Sequence, residues 1–356
     1  MRIPLRFAVL LTTALALVMA APASAAKVPR SFFGVQAWGI PTEREAQMLG
    51  STRSGTFRAT LLWSVVEPTR GVRRWGDFDL TVARAARANA TVLPVLLSSP
   101  QFVAARFQYP PSSPDGKAAF STFVREAVAR YGRNGTFWRA NPGLPYRPVN
   151  AWQVWNEPNF PAYWNRRPNA RQYVGLLRSA RSAIKGADRR AKVVIAGIPE
   201  TKFPGSITMS RYLKQVYRVR GARKLFDAVA IHPYASNLRG LERSIKRARA
   251  VMKKGRDARK SLWITELGWA TGGTGKKVYR TSRRGQAKLL KSTLTKLVKL
   301  RRKQRIGMAV WFALRDKAPD PGEPNWWALH TGLLDLAGNP KPAWGTFQSL
   351  TRRLAR

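Results

Sequence analysis

Eight short apolar runs alternate with amphipathic segments along this chain, and that alternation leaves few folds open. The runs lie at 32–38, 56–62, 91–97, 150–155, 192–197, 226–231, 261–265 and 307–312. Apolar or small residues fill them without strict alternation, as in strands covered on both faces. Between and after them, helices are predicted near 42–50, 78–89, 117–131, 169–185, 207–219, 240–254, 283–302 and 342–354. Leu241, Ile245, Ala248 and Met252 recur at helical spacing in the sixth, and Ala287, Leu290, Leu294, Leu297 and Val298 do so in the seventh. Such stripes are the faces that helices bury. Strand–helix units in this number close into an α/β fold, a single-domain (β/α)8 TIM barrel over 26–356, with its working face at the strands' C-terminal ends. An open doubly wound sheet is the competing topology. No G-x-G-x-x-G turn follows the first run, which disfavours it.

The N-terminal stretch stands apart from this pattern. Arg2 and Arg6 precede an uncharged apolar run at 7–20, and Ala23-Ser24-Ala25 supplies a small-x-small cleavage pattern. Residues 1–25 therefore read as a secretory signal peptide and the remainder as an extracellular, secreted protein. No later segment has the roughly 20 apolar residues needed to span a membrane.

Composition removes several chemistries. The chain has no Cys and only two His, His232 and His330, which excludes thiol nucleophiles, Cys-ligated metals and multi-histidine centres. No G-x-S-x-G elbow is present. Neither a metal nor an organic cofactor is expected. Lys and Arg number 64 against 18 Asp and Glu, a net charge of +46. Such an excess draws a protein toward polyanions, here an anionic polysaccharide or cell-wall surface. The sixth and seventh helices carry Lys246, Arg247, Arg249, Lys253, Lys254, Lys288, Lys291, Lys296 and Lys299, a candidate basic flank. Arginine-rich compositional drift is the competing account of the charge. No zinc-finger, RNA-recognition or basic-zipper signature points to specific nucleic-acid binding. A monomer is expected.

Because acids are scarce, their positions carry information. Glu43, Glu45, Asp77 and Asp79 sit at predicted helix starts, where negative charge is favourable. Glu157 and Glu266 do not fit that account. Glu157 ends the fourth run within Trp152-Gln-Val-Trp-Asn-Glu-Pro-Asn159, and Glu266 ends the seventh within Leu262-Trp-Ile-Thr-Glu-Leu-Gly-Trp269. A charge among apolar and aromatic residues is costly unless it is used. Strands four and seven lie across an eight-stranded barrel from one another, so the two carboxylates can face each other over its mouth. Retaining glycosidases need such a pair about 5–5.5 Å apart.

Asn156-Glu157-Pro158 at the fourth strand, together with Glu266 at the seventh, resembles the clan A retaining glycoside hydrolases, which include cellulases, β-mannanases and β-xylosidases. The resemblance extends to Arg58, to Trp63, Glu67-Pro68, Gly71 and Trp75, and to His232-Pro233-Tyr234. It continues through Trp311 and the tail from Gly332-Leu-Leu-Asp335 to Lys341-Pro342. It implies that Glu157 is the acid/base and Glu266 the nucleophile, the latter helped by Arg58 and Tyr234. It also implies that Asn156 holds the sugar 2-hydroxyl, and that His232 orients Glu157 or contacts sugar hydroxyls. Trp311 is the expected platform beneath the reacting sugar. Phe160, Tyr163 and Trp164 are the expected wall of neighbouring subsites. Trp326 and Trp327 either bind sugar or cap the barrel.

One position departs from the pattern. The third strand ends in Ser98-Ser-Pro-Gln101, where cellulase-like members often place a sugar-binding His, so the resemblance leaves the sugar open. The expected function is hydrolysis of a β-linked polysaccharide or oligosaccharide by double displacement. A non-catalytic polysaccharide- or wall-binding barrel is the alternative.

Overall fold

The computed structural model describes residues 27–165, 167–200 and 203–356; the expected leader lies outside them. Eight parallel strands close a barrel in sequence order: β1 (Phe33–Gln36), β2 (Thr56–Leu62), β3 (Thr91–Leu97), β4 (Ala151–Asn156), β5 (Lys192–Pro199), β6 (Ala228–His232), β7 (Ser261–Leu267) and β8 (Ile306–Phe312). Closure is made by β8 pairing with β1, in the register Gly34 to Val310 and Gln36 to Phe312. All eight expected strands are present. Their sheet has no exposed edge, which explains the unbroken apolar runs.

Ten α-helices occur among the described residues: α1 (Glu43–Gly50), α2 (Trp63–Val66), α3 (Gly76–Arg87), α4 (Pro114–Tyr131), α5 (Thr136–Ala140), α6 (Ala170–Ala187), α7 (Met209–Arg218), α8 (Leu238–Lys254), α9 (Arg283–Leu300) and α10 (Pro342–Leu354). The short α2 and α5 are additions to the eight expected. Local chemistry sets several boundaries. Thr42 caps α1 in a reciprocal box: its hydroxyl accepts from the Glu45 N–H at 3.2 Å, and the Glu45 carboxylate accepts from the Thr42 N–H at 2.7 Å. Ser113, Asn169, Asn237 and Ser282 cap α4, α6, α8 and α9 through their side-chain oxygens.

Two apolar layers result. A small cluster inside the barrel contains Leu93, Ala151, Val194, Ala230, Met308 and Val310. A larger one lies between the strands and the helical ring and includes Phe57, Trp152, Trp155, Leu177, Leu294 and Trp311. The α8 stripe read from the sequence is buried in this outer layer, as are Leu290, Leu294 and Leu297 of α9, while Ala287 and Val298 are half-buried against it. Glu67, near Trp63 in the resemblance, braces the loop after β2. It accepts from the Trp63 indole at 2.7 Å and from the Gly71 N–H at 2.8 Å, and it pairs with Arg73 at 2.6 Å. Gly71 adopts φ +83°, a conformation that L side chains rarely take.

Candidate active site

Strand parity decides which side chains reach the barrel mouth. Gln153 points inward from β4, and simple alternation would send Trp155 the same way. Trp155 instead takes φ +69° and packs outward against Phe120 and Trp164, its indole donating to the Tyr163 carbonyl at 2.9 Å. Glu157 follows with φ +43°. These two left-handed residues bring Asn156 and Glu157 to the mouth in succession. Non-glycine residues in that region cost on the order of 1–3 kcal/mol each, and such strain concentrates at functional sites.

Arg58 crosses the barrel interior from β2, fully buried, and binds side chains from three other strands. Its Nε donates to Gln153 at 3.0 Å and its Nη2 to Asn156 at 2.9 Å, while Nη1 donates to Glu266 at 2.5 Å and also to Gln36. Tyr234 donates its hydroxyl proton to the other Glu266 oxygen at 2.9 Å. Glu266 thus receives hydrogen bonds on both oxygens, the one from Arg58 charge-assisted. Glu157 has a different setting. Its Oε1 lies 2.7 Å from His232 Nδ1, and burial pushes its pKa up to about 7, against an opposing pull from Arg58. Burial also drives His232 down to about 3, so its imidazole is neutral at working pH. With Nδ1–H donating to Glu157, Nε2 accepts from the Thr265 hydroxyl at 3.1 Å.

One carboxylate oxygen of Glu157, one of Glu266 and a His232 ring nitrogen all lie within 4.8 Å of one another. Such a trio has donor types that suit a divalent cation, but Arg58 already supplies the positive charge against Glu266. Inverting enzymes hold their carboxyl groups about 6.5–9.5 Å apart to admit water and retaining ones about 5–5.5 Å, and so close an oxygen–oxygen approach fits the nearer spacing.

Gly197 on β5 is what allows His232 to sit there. A Cβ at this position would lie 1.9 Å from His232 Nε2. Gly197→Ala is expected to displace the imidazole and lower kcat by about a hundredfold, the scale of an ångström-sized misplacement. Overpacking adds a stability loss of about 1–3 kcal/mol. Steady-state kinetics with thermal unfolding checks this; a folded variant with wild-type kcat would show that His232 placement does not matter to turnover.

Above the carboxylates opens a cavity of about 500 Å³, within the usual range for small-molecule sites. Arg58, Asn156, Glu157, His232, Tyr234 and Glu266 all border it. Phe160, Tyr163, Trp326 and Trp327 stand in its wall, which favours the sugar-facing expectation for the last two over a merely capping one. Two expected contacts are corrected. Trp311 is fully buried in the outer layer, donates to the Thr331 carbonyl at 3.0 Å and packs on Trp269. Phe312, one residue on, faces the cavity instead, edge-on to Trp38 with centroids 4.7 Å apart. Trp164 is likewise buried; its indole donates to Gln172 on α6 at 3.2 Å. Sequence reading missed Trp38, Phe203, Tyr279 and Phe312 in the wall, and Gln36, Gln153 and Thr265 among the supports. The two glutamines had a signal, since they are polar residues inside apolar strands.

The family model described as glycosyl hydrolase catalytic core matches residues 140–337, more than half of the chain. The chain belongs to that family. Solved structures share the fold at low identity. A family 39 glycoside hydrolase from Bacteroides cellulosilyticus is 17% identical with a TM-score of 0.65; the match covers 91% of this chain and 63% of that one. A monomeric β-xylosidase from Caulobacter crescentus is 18% identical with a TM-score of 0.66, covering 92% and 69%. An exo-β-1,4-mannosidase from an Opitutaceae bacterium is 15% identical with a TM-score of 0.63, covering 94% and 62%. This chain therefore spans under two thirds of the first and third of these proteins. No curated protein matches it.

Proposed function

We propose that this chain is a retaining glycosidase that cleaves a neutral, β-linked saccharide by double displacement. The carrying observation is a closely spaced carboxylate pair in unequal surroundings. Glu266 is held by Arg58 and Tyr234, while Glu157, raised to about 7, keeps a proton to give. In the first step a Glu266 oxygen bonds to the anomeric carbon as the glycosidic bond breaks, and Glu157 protonates the departing oxygen. Water then attacks the glycosyl-enzyme, Glu157 takes its proton, and Glu266 leaves as carboxylate. Asn156 has its Oδ1 engaged by Arg58 and its side chain also bonded to Tyr163, and its remaining amide N–H is the group offered to the sugar 2-hydroxyl.

Neutrality of the substrate follows from the cavity lining. Its one described cation, Arg58, is bound to Glu266, and nine of the lining residues are Phe, Tyr or Trp. The β-linkage is supported by the fold shared with a β-xylosidase and an exo-β-1,4-mannosidase. Intact Glu157 and Glu266 favour catalysis over mere polysaccharide binding. Export through the 1–25 leader, and attachment to an anionic polymer through the α8–α9 flank, belong to the same proposal. Exposed Lys253, Lys254, Lys288, Lys291 and Lys299 support the attachment. Arg249 does not, because it is engaged with the Lys260, Gln304 and Arg305 carbonyls, and Lys296 pairs with Glu242 at 3.2 Å.

The deciding measurement is product stereochemistry. Proton NMR of the first sugar released from a panel of aryl β-glycosides is expected to show the β-anomer. First appearance of the α-anomer would overturn the double displacement.

A further inference from the structure

At the opposite end of the barrel, where the strands begin, basic side chains converge on a second cavity. Lys27, Arg30, Arg53 and Arg352 border a polar space of about 530 Å³, with Asn89 at its edge. Arg147 reaches the same place from behind, its Nη2 donating to Asn89 at 2.9 Å. No carboxylate lines this space. Among the described residues, none of these five cations is paired with an acid. That contrasts with Arg58, Arg73, Arg130 and Lys341, which are each held by one.

The cluster also bears the marks of an uncompensated charge. Arg30 and Arg147 each bury an Nε with no hydrogen-bond partner. Burial, with the fields of Arg147 and Arg53, draws the Arg30 pKa below its ordinary value. Like charges gathered in one concavity repel, and an anion placed among them relieves that repulsion. Guanidinium forks match the oxygens of phosphate. We infer that the barrel floor is an anion site in which Arg30, Arg53, Arg352 and Lys27 bind a phosphate group. Either the free ion or a phosphate carried on a polymer presents that chemistry. The floor faces away from the catalytic mouth, so its occupant is not the saccharide, and the inference stands apart from the glycosidase reading.

Titration calorimetry with inorganic phosphate at low ionic strength tests it. Wild type is expected to bind one equivalent saturably and to unfold at a higher temperature when phosphate is present. Arg53 is exposed, and among the described residues only its backbone N–H is hydrogen-bonded, so Arg53→Glu is expected to fold, to keep wild-type glycosidase activity, and to weaken phosphate by about tenfold or more. The Lys253→Glu, Lys254→Glu variant on α8 is expected to bind phosphate as wild type does. A second arm uses polyphosphate. Tighter binding than the free ion with the same loss in Arg53→Glu assigns the site to polymer-borne phosphate, and equal binding assigns it to the free ion. The inference is overturned if wild type does not saturate, if Arg53→Glu binds as tightly, or if the α8 variant loses as much.

Discussion

Glu266→Ala is expected to lose turnover on every substrate, by on the order of 10⁵–10⁶ in kcat, the scale seen when an enzyme nucleophile is removed. Nothing nearby replaces it. Glu157 is the other carboxylate within 4.8 Å, and it is bonded to His232. The vacated space borders the cavity, so a small anion such as azide is expected to enter, attack the anomeric carbon from the same side and restore part of the rate. Its product would be a glycosyl azide of inverted configuration, identifiable by NMR. Removing Glu266 also frees Arg58 and Tyr234, whose bonds to it measure 2.5 and 2.9 Å, and the remaining carboxamide bonds of Arg58 should keep the variant folded. A folded Glu266→Ala protein retaining more than a few per cent of wild-type kcat would exclude Glu266 as nucleophile.

Glu157→Ala is expected to discriminate among leaving groups. Where the departing oxygen is a poor leaving group and needs a proton, the first step should slow by about 10²–10⁴-fold, the usual contribution of a general acid. A dinitrophenolate departs without help, so its glycoside should show a nearly normal burst followed by slow turnover. Equal losses on both substrates would remove Glu157 from the acid role. The pH profile follows from its position near 7. For poor leaving groups, kcat/KM should fall about tenfold per unit above that value as the acid form disappears, and the limb should vanish in Glu157→Ala. Stability carries the same sign. A carboxyl raised in the fold favours folding below its ordinary value and loses that contribution as pH rises through about 7. Glu157→Gln, neutral throughout, should therefore unfold at a higher temperature than wild type at about pH 8 and show little difference at about pH 4. Differential scanning calorimetry reads this directly.

The barrel was legible because a closed parallel sheet buries both faces of every strand, so each strand announces itself as an apolar run. The carboxylate pair was legible for the opposite reason, since acids in apolar strand ends of so basic a chain have few bland explanations. The same uniformity hid finer detail. In β8 both faces are apolar, so the sequence carries no phase, and Trp311 and Phe312 were indistinguishable by pattern. The register places Phe312 beside Gln36 and turns it to the mouth, leaving Trp311 with the helices. Trp164 was lost in another way. It follows the short Pro161–Tyr163 turn, and its bond to Gln172 depends on how α6 returns to the barrel. Gln36 and Gln153 acquire meaning only through Arg58, 22 and 95 residues away. The left-handed Trp155, which brings Asn156 inward, is a backbone event that no side-chain pattern records.

Arg58 ties together residues of β1, β4 and β7, so Glu266, the proposed nucleophile, is anchored in the staves of the barrel. Most of the aromatic wall is built differently: Phe160, Phe203, Tyr279, Trp326 and Trp327 stand on connections beyond the strands, and Phe312 at the end of β8 is the exception. On the proposed reading, chemistry and sugar choice therefore reside in largely separable parts of the chain. Exchanging those connections for ones with other aromatic patterns would alter which glycoside is accepted while the anchored nucleophile stays in place. On such a scaffold, new substrate preferences arise by loop replacement, without the catalytic apparatus having to be reinvented each time.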